Sequence, residues 1–161
     1  MTHTAAEPVL HSPAGAAPLA PLGPTRGRVF AAMNASTAPI WLAMILAPRS
    51  RLTRLLVRRS VPLHAGFSVA YTGLLGAGMV RSRTRPDFRD PDVLRSQLVD
   101  GDVFLAAWSH YLTFDLLVGQ WIWQDALTSG RTARIALFLT WMAGPAGHGW
   151  YLGQRWWGSR S

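Results

Sequence analysis

The sequence predicts an all-α fold: an integral membrane four-helix bundle with a short interfacial helix between the second and third spans. Three observations predict it. The chain of 161 residues is 49% hydrophobic but only 15% charged, whereas soluble domains are about 25% charged. Its uncharged apolar stretches are as long as a bilayer core is thick. Its sixteen basic residues are all arginine, and most stand in short clusters between those stretches, as at the ends of membrane helices.

The composition also excludes several function classes. A formal net charge of +8 would suit a nucleic-acid-binding protein, but the arginines do not line one amphipathic face, so no nucleic-acid partner is expected. The absence of cysteine excludes disulfides, thiolate metal sites and thiol nucleophiles. No P-loop, dinucleotide-binding glycine fingerprint or nucleophile elbow is present. Nucleotide chemistry is therefore not expected.

The first half of the chain predicts a tail and two spans. Residues 1–28 are rich in Ala, Pro, Thr and Ser and are expected to form a disordered tail, with a membrane domain over 29–155 and a short tail over 156–161. The first two spans are 29–47 and 61–80, each uncharged if His64 is neutral and about 28 to 30 Å long as a helix. Two arginines precede the first span, as in a signal anchor. Anionic headgroups are the expected counterions of five arginines between the spans, at 49, 51, 54, 58 and 59.

The second half predicts the interfacial helix and two further spans. The interfacial helix lies within 81–101, where arginines and aspartates alternate with apolar residues at helical spacing. The third span is 103–127, and the fourth is 135–152 with a break at Gly144, Pro145 and Gly147. With four spans, nine arginines share the side of the termini and seven lie opposite, which slightly favours cytoplasmic termini. Arginine without lysine is typical of GC-rich bacteria, so we expect a multi-pass protein of the cell membrane.

The third span carries the most informative residue, Asp115. An ionisable group in the middle of a bilayer costs several kcal/mol, so it is by default a candidate functional group facing the bundle interior. The alternative is a protonated carboxyl that only bridges two helices. Trp108, Tyr111, Asp115 and Gly119 fall on one helical stripe. The Tyr111 phenol is therefore in reach of the carboxyl, and Gly119 would let a second helix or a flat ligand approach.

Histidines and a second acid offer further candidates. His110 lies about 140° around the helix from Asp115, so the two could meet only through another helix. Asp125 lies near the end of the third span, either as a second acid or as a solvated helix-end group. His64 and His148 would complete a metal cluster with these three residues, but no HxxxH or ExxH spacing supports it. No metal is expected.

The order of these residues resembles the abscisic acid deficient four family over about residues 30–155. The most specific part is the block 108–119, which reads WSHYLTFDLLVG, followed by Gly144-Pro145-Ala146-Gly147. Supporting positions in the first half of the chain and near its end are Asn34, Pro39, Trp41, Met44, Ile45, Pro48, Thr53, Arg54, Tyr71, Tyr151 and Arg155. The chain departs from the plant members in its short tail and in His148.

The resemblance implies an integral membrane enzyme that isomerises the epoxide end ring of a xanthophyll to an allene. This chemistry needs an acid at the epoxide oxygen, a base for a vinylic proton and no cofactor. The resemblance makes Asp115 the candidate acid, beside Tyr111, with His110 or Asp125 as base. The residues expected to bind the carotenoid or other polyisoprenoid substrate are Trp108, Phe114, Gly119, Trp41 and Asn34.

A non-catalytic function remains open at this stage. The chain would then be a membrane subunit that binds lipid or pigment and assembles with a partner enzyme, or with a second copy, through its glycine-rich helix faces. A small proton-coupled carrier would use the same buried aspartate, but four spans without an internal repeat favour it less.

Overall fold

The computed structural model describes residues 21–82, without the side chain of residue 82, and 89–158. Most of the predicted N-terminal tail, residues 1–20, and the last residues 159–161 lie outside this part. The described chain is helical and contains no strand, which confirms the all-α class. Its helices are α1 (Pro24–Leu46), α2 (Arg51–Arg58), α3 (Val61–Ser82), α4 (Pro91–Gln97), α5 (Gly101–Thr128), α6 (Arg134–Ala143) and α7 (Pro145–Gly158).

Two of the long helices, α1 and α5, lie side by side in the same direction. Near their beginnings, the Arg26 guanidinium is 2.6 Å from the Asp102 carboxylate. Near their ends, the Trp123 indole donates a hydrogen bond of 2.9 Å to the carbonyl of Pro48. The Asp100 side chain caps the start of α5 by accepting hydrogen bonds from two backbone N–H groups of its first turn. The predicted first and third spans are therefore helices.

The third long helix, α3, runs in the opposite direction along α5. Gln120, in the second half of α5, donates a hydrogen bond of 2.9 Å to Ser60, which immediately precedes α3. At the other end, Arg81 contacts Asp102 at 2.5 Å. The predicted second span is therefore also a helix. Two helical segments, Pro24–Leu46 and Arg51–Arg81, are long and apolar enough to cross a membrane.

Two short helices connect the long ones. The arginine-rich connection after the first predicted span is itself helical, as α2, with Ser50 as its N-cap. Thr53 and Val57 are the buried residues of α2, and the Thr53 hydroxyl donates a hydrogen bond of 2.6 Å to the carbonyl of Ala47. The other short helix, α4, falls within 81–101, where the sequence predicts a short helix.

The fourth predicted span is not a single helix but a hairpin, which corrects the expected four-span path. Gly144 separates α6 from α7 with a φ of 42°, in the left-handed region that favours glycine. Gly147 then lies directly against the backbone of Thr140 and Ala136. In one continuous helix, residues 136 and 147 would be about 16 Å apart along the axis. The chain therefore reverses at Gly144, and α7 runs back beside α6.

The hairpin packs along the second half of the α1 and α5 pair. Its tip at Gly144 lies beside Asp115, close to the middle of α5. Its returning arm meets the end of α5, where the Tyr151 hydroxyl donates a hydrogen bond of 2.6 Å to Asp125. Because α6 has ten residues, the hairpin extends about 15 Å from its base. The hairpin therefore covers only the second half of the α1 and α5 pair.

Candidate functional site

The hairpin tip meets Asp115 at the closed end of a groove. The groove has a volume of about 440 Å³, and its polar or aromatic lining residues include Asn34, Trp108, Tyr111, Asp115 and Trp141. A Cβ atom at Gly144 would lie only 2.6 Å from Oδ1 of Asp115, so the carboxyl rests against the bare backbone of the tip. Glycine is therefore required at 144 for its conformation and for this close approach.

The Asp115 carboxyl is half-buried and available for chemistry. Among the described residues, no side chain donates a hydrogen bond to it, including the neighbouring Tyr111 phenol. Tyr111 is 60% exposed and lines the same groove. The Asp115 oxygens are not among the buried polar atoms that lack a partner, so the carboxyl is accessible from the groove. A molecule bound there can exchange a proton with it.

Aromatic side chains line the groove, and further aromatic rings pack behind Trp108 toward the start of α5. Phe30 packs on Phe104 and Trp108, with ring centroids 6.1 and 5.0 Å apart. The Trp108 indole donates a hydrogen bond of 3.3 Å to Asn34, whose amide in turn donates one of 2.7 Å to the Phe30 carbonyl. These contacts fix Trp108 and Asn34 in the wall. Flat aromatic walls suit a flat, apolar ligand.

Two residues predicted to bind substrate, Gly119 and Trp41, lie in the core beneath the groove instead. The Trp41 ring is 1% exposed and packs so closely on Gly119 that a Cβ there would overlap it. Its other face stacks on Trp141, with centroids 6.2 Å apart and planes within 10°. Trp41 and Gly119 therefore support Trp141, which lines the groove, rather than lining it themselves.

His110 and Phe114 face a different side of α5, toward α3. The His110 imidazole lies between Phe114, at a centroid distance of 4.5 Å, and Tyr71, at 5.8 Å. His110, Tyr71 and Tyr111 line a second, shallower groove of about 280 Å³. Tyr111 therefore lies between the two grooves. The structure does not bring His110 into the groove that contains Asp115.

Asp125 is held in a separate cluster at the end of α5. It accepts a hydrogen bond of 2.6 Å from the buried Tyr151 hydroxyl and lies 3.4 Å from the Arg155 guanidinium. Arg155 in turn lies over the Trp121 ring at 5.7 Å. The carboxylate is already engaged by two partners, and it does not line the groove of Asp115. The role of Asp125 in this arrangement is to fasten α7 to α5.

The histidines considered for a metal cluster are also dispersed. His64 lies 3.3 Å from the Gln120 amide on the α3 side, and His148 packs edge-on against Trp121. Within residues 21–82 and 89–158, no group of three or more His, Asp or Glu side chains is placed to hold a metal ion.

Sequence reasoning missed two features. Trp141 forms the wall opposite Trp108, and only the Gly-Pro-x-Gly break pointed toward this region.

An ion cluster at the start of α5 joins Asp102 to Arg26 at 2.6 Å and to Arg81 at 2.5 Å, so it connects three helices. The hydrogen bond from Arg26 is the main reason that the pKa of Asp102 lies below its usual value. The alternating charges of 81–101 gave no sign that Asp102 was the shared partner.

Comparison with known proteins identifies a family. A family model described as ABA4-like, ABA DEFICIENT 4-like, matches residues 28–151, which is more than three quarters of the chain. No curated protein matches the chain, and no solved structure does.

Proposed function

Because the chain belongs to the ABA DEFICIENT 4-like family, which points to a role in carotenoid or xanthophyll metabolism, we propose that it is a membrane-embedded acid/base isomerase of a carotenoid or related polyisoprenoid. Asp115 is the proton donor in this proposal. One observation carries it: a carboxyl with no described hydrogen-bond partner stands at the closed end of a groove with aromatic walls.

The exposed surface of the bundle supports the membrane placement. Large apolar side chains on its long helices point away from the protein, as shown by the exposed fractions of Leu46 (67%), Val69 (73%) and Val80 (81%). Such extensive apolar exposure is unfavourable in water but suits a lipid surround. In this setting α1, α3 and α5 cross the bilayer, and the α6–α7 hairpin enters it to about half depth. Irregular backbone at Gly144 is tolerated there because protein covers it.

The proposed reaction requires only a proton transfer. The Asp115 acid protonates the epoxide oxygen, the carbon–oxygen bond opens to a hydroxyl, and a base removes the proton from the neighbouring vinylic carbon to complete the allene. No atom is gained or lost, and no electron acceptor is needed. The carboxylate left after the first transfer has a second oxygen, so the same group can take the second proton. This assigns both roles to Asp115 in preference to His110 or Asp125, which do not line its groove.

The groove offers a path for a long apolar molecule. From Asp102 to Asp115 the α5 axis advances about 20 Å, and Phe104 and Trp108 lie along that half of the helix. A polyene chain can rest on these rings while its oxygenated end ring reaches the carboxyl. Asn34, held by Trp108, supplies an amide for a ring hydroxyl. In this proposal Trp108 and Asn34 bind substrate, and Tyr111 closes the side of the groove.

The test is pigment analysis in a host that makes both epoxy and non-epoxy carotenoids. Expression of the chain should convert an epoxy carotenoid to an isomer of the same mass, and Asp115→Asn should abolish the conversion while membrane levels stay normal. The matched control is Asp92→Asn, at a side chain that is 84% exposed on α4, which should convert normally. Unchanged pigments in the presence of both carotenoid types would contradict the isomerase.

A second candidate function is a non-catalytic membrane subunit that assembles through α3. A Cβ added to Gly66, Gly73 or Gly76 would meet nothing within 4 Å, so these positions face outward as flat helix surface suited to another helix. The partner would be another membrane protein or a second copy of the chain. If this function is correct, replacing these glycines will disrupt the assembly, and expression of the unmodified chain alone will leave the pigment composition unchanged.

A further inference from the structure

A basic cavity lies at the base of the α6–α7 hairpin, at the opposite end of α5 from the Asp102 cluster. It encloses about 250 Å³ between the end of α1, the end of α5 and the start of α6. Three arginines line it, namely Arg49, Arg131 and Arg134, beside an apolar wall that includes Leu127 and Leu137. No acidic residue lines it.

Backbone geometry fixes the positions of these arginines. After α5, Gly130 adopts a φ of 69°, and the N–H of Arg131 returns to the carbonyl of Ala126 at 2.9 Å, which is a Schellman closure. Arg49 follows Pro48, whose carbonyl is held by the Trp123 indole. Arg134 is the first residue of α6. Turns next to three separate helices thus bring the backbones of the three arginines to one cavity.

Within the described protein, no ion pair neutralises the arginines of the cavity. The ion pairs there do not include Arg49, Arg131 or Arg134. Among the described residues, Asp125 is the only acid near this end of the bundle, and it already pairs with Arg155 and Tyr151. Arg131 interacts with this pair only through the charge field at Tyr151. Arginines gathered around a cavity without a carboxylate favour an anion whose geometry matches the guanidinium fork, and phosphate is the best-matched biological case.

We propose that this cavity binds the headgroup phosphate of an anionic phospholipid. The arginines contact the phosphate, and Leu127 and Leu137 pack against the first methylene groups of an acyl chain. Free phosphate has no acyl chain and could not make this apolar contact. The neighbouring α2 supports a lipid, because Leu52 is 61% and Leu55 44% exposed on a helix that also carries arginines, as in helices lying at a bilayer surface. The inference rests on the membrane placement of the proposed function, but not on the isomerase.

The experiment measures lipid binding to the intact protein. The full chain is purified in detergent, titrated with phosphatidylglycerol or phosphatidylcholine of the same acyl length, and examined by native mass spectrometry. Phosphatidylglycerol should bind more tightly, and Arg131→Gln combined with Arg134→Gln should weaken it at least about tenfold. The matched control, Arg28→Gln with Arg95→Gln, removes the same charge from exposed positions at the opposite end of the bundle and should leave the affinity within about twofold.

Three results would overturn the proposal. The first is equal binding of the two lipids, and the second is an equal loss of affinity in the control variant. The third is displacement of the lipid by an equimolar concentration of glycerol phosphate, which would show a site for free phosphate. If the cavity variant does not fold, two measurements on the unmodified protein decide the proposal. They are the comparison of phosphatidylglycerol with phosphatidylcholine and the competition with glycerol phosphate. Pigment conversion measured on the same variants separates this proposal from the isomerase, whose site is at the other end of the hairpin.

Discussion

Replacing Gly147 by alanine should open the α6–α7 hairpin, because the new Cβ would overlap the backbone of Thr140 and Ala136. Overpacking of a well-packed site costs about 1 to 3 kcal/mol. The upper part of that range applies here, since the obstacle is backbone that no rotamer change can move. Alanine is the better helix former by about 1 kcal/mol, which offsets part of the cost. The expected net loss is about 2 kcal/mol of unfolding free energy.

Gly149, two residues further along α7, provides the matched control. A Cβ there would meet nothing within 4 Å, so Gly149→Ala should keep the helix-propensity gain and stabilise by up to about 1 kcal/mol. The two variants should therefore differ by about 3 kcal/mol when the purified proteins are unfolded in detergent and followed by circular dichroism. Equal stabilities would refute the reasoning, because a straight helix through residues 134–158 would leave Gly147 as open as Gly149.

Three further predictions concern other parts of the molecule. Gly119→Ala should cost about 1 to 3 kcal/mol in the same assay, since its Cβ would overlap the buried Trp41 ring, whereas Gly73→Ala should be harmless. The lowered pKa of Asp102 predicts that its ion cluster stabilises the fold above the unfolded-state pKa of about 3.9. This stabilisation is lost as the pH falls through the pKa of Asp102 in the folded protein. The unfolding free energy of Asp102→Asn, measured against pH, should not show this loss at acid pH. Reporter domains fused to the two termini should report opposite sides of the membrane, and the same side for both would contradict the hairpin.

The sequence predicted the long helices because their long apolar stretches, in which charged residues are rare, leave few alternatives for a backbone that must satisfy its own hydrogen bonds. It also placed Trp108, Tyr111 and Asp115 on one side of α5, where they line one groove. Helical periodicity is a local property, so these results follow from spacing alone.

The features that the sequence did not predict depend on contacts between distant segments. An uncharged stretch of eighteen residues has the same composition whether it crosses a bilayer or folds back halfway. The reversal depends on the conformation of Gly144 and on the close approach of Gly147 to Thr140, and neither can be derived from spacing. The part of the opposite wall that the sequence did not predict, Trp141, comes from α6. No pattern along α5 could identify it.

The hairpin also changes the expected orientation in a membrane. Four spans would place the termini together, whereas the three spans and hairpin proposed here would place them on opposite sides. Among the described residues, eight arginines then gather at the end with α2 and Arg155, and five lie at the end with Asp100 and Asp102. By the positive-inside rule we expect the α2 end to be cytoplasmic, where anionic lipids are abundant. The arginine-lined cavity would then face those lipids, and the groove of Asp115 would receive its substrate from the opposite leaflet.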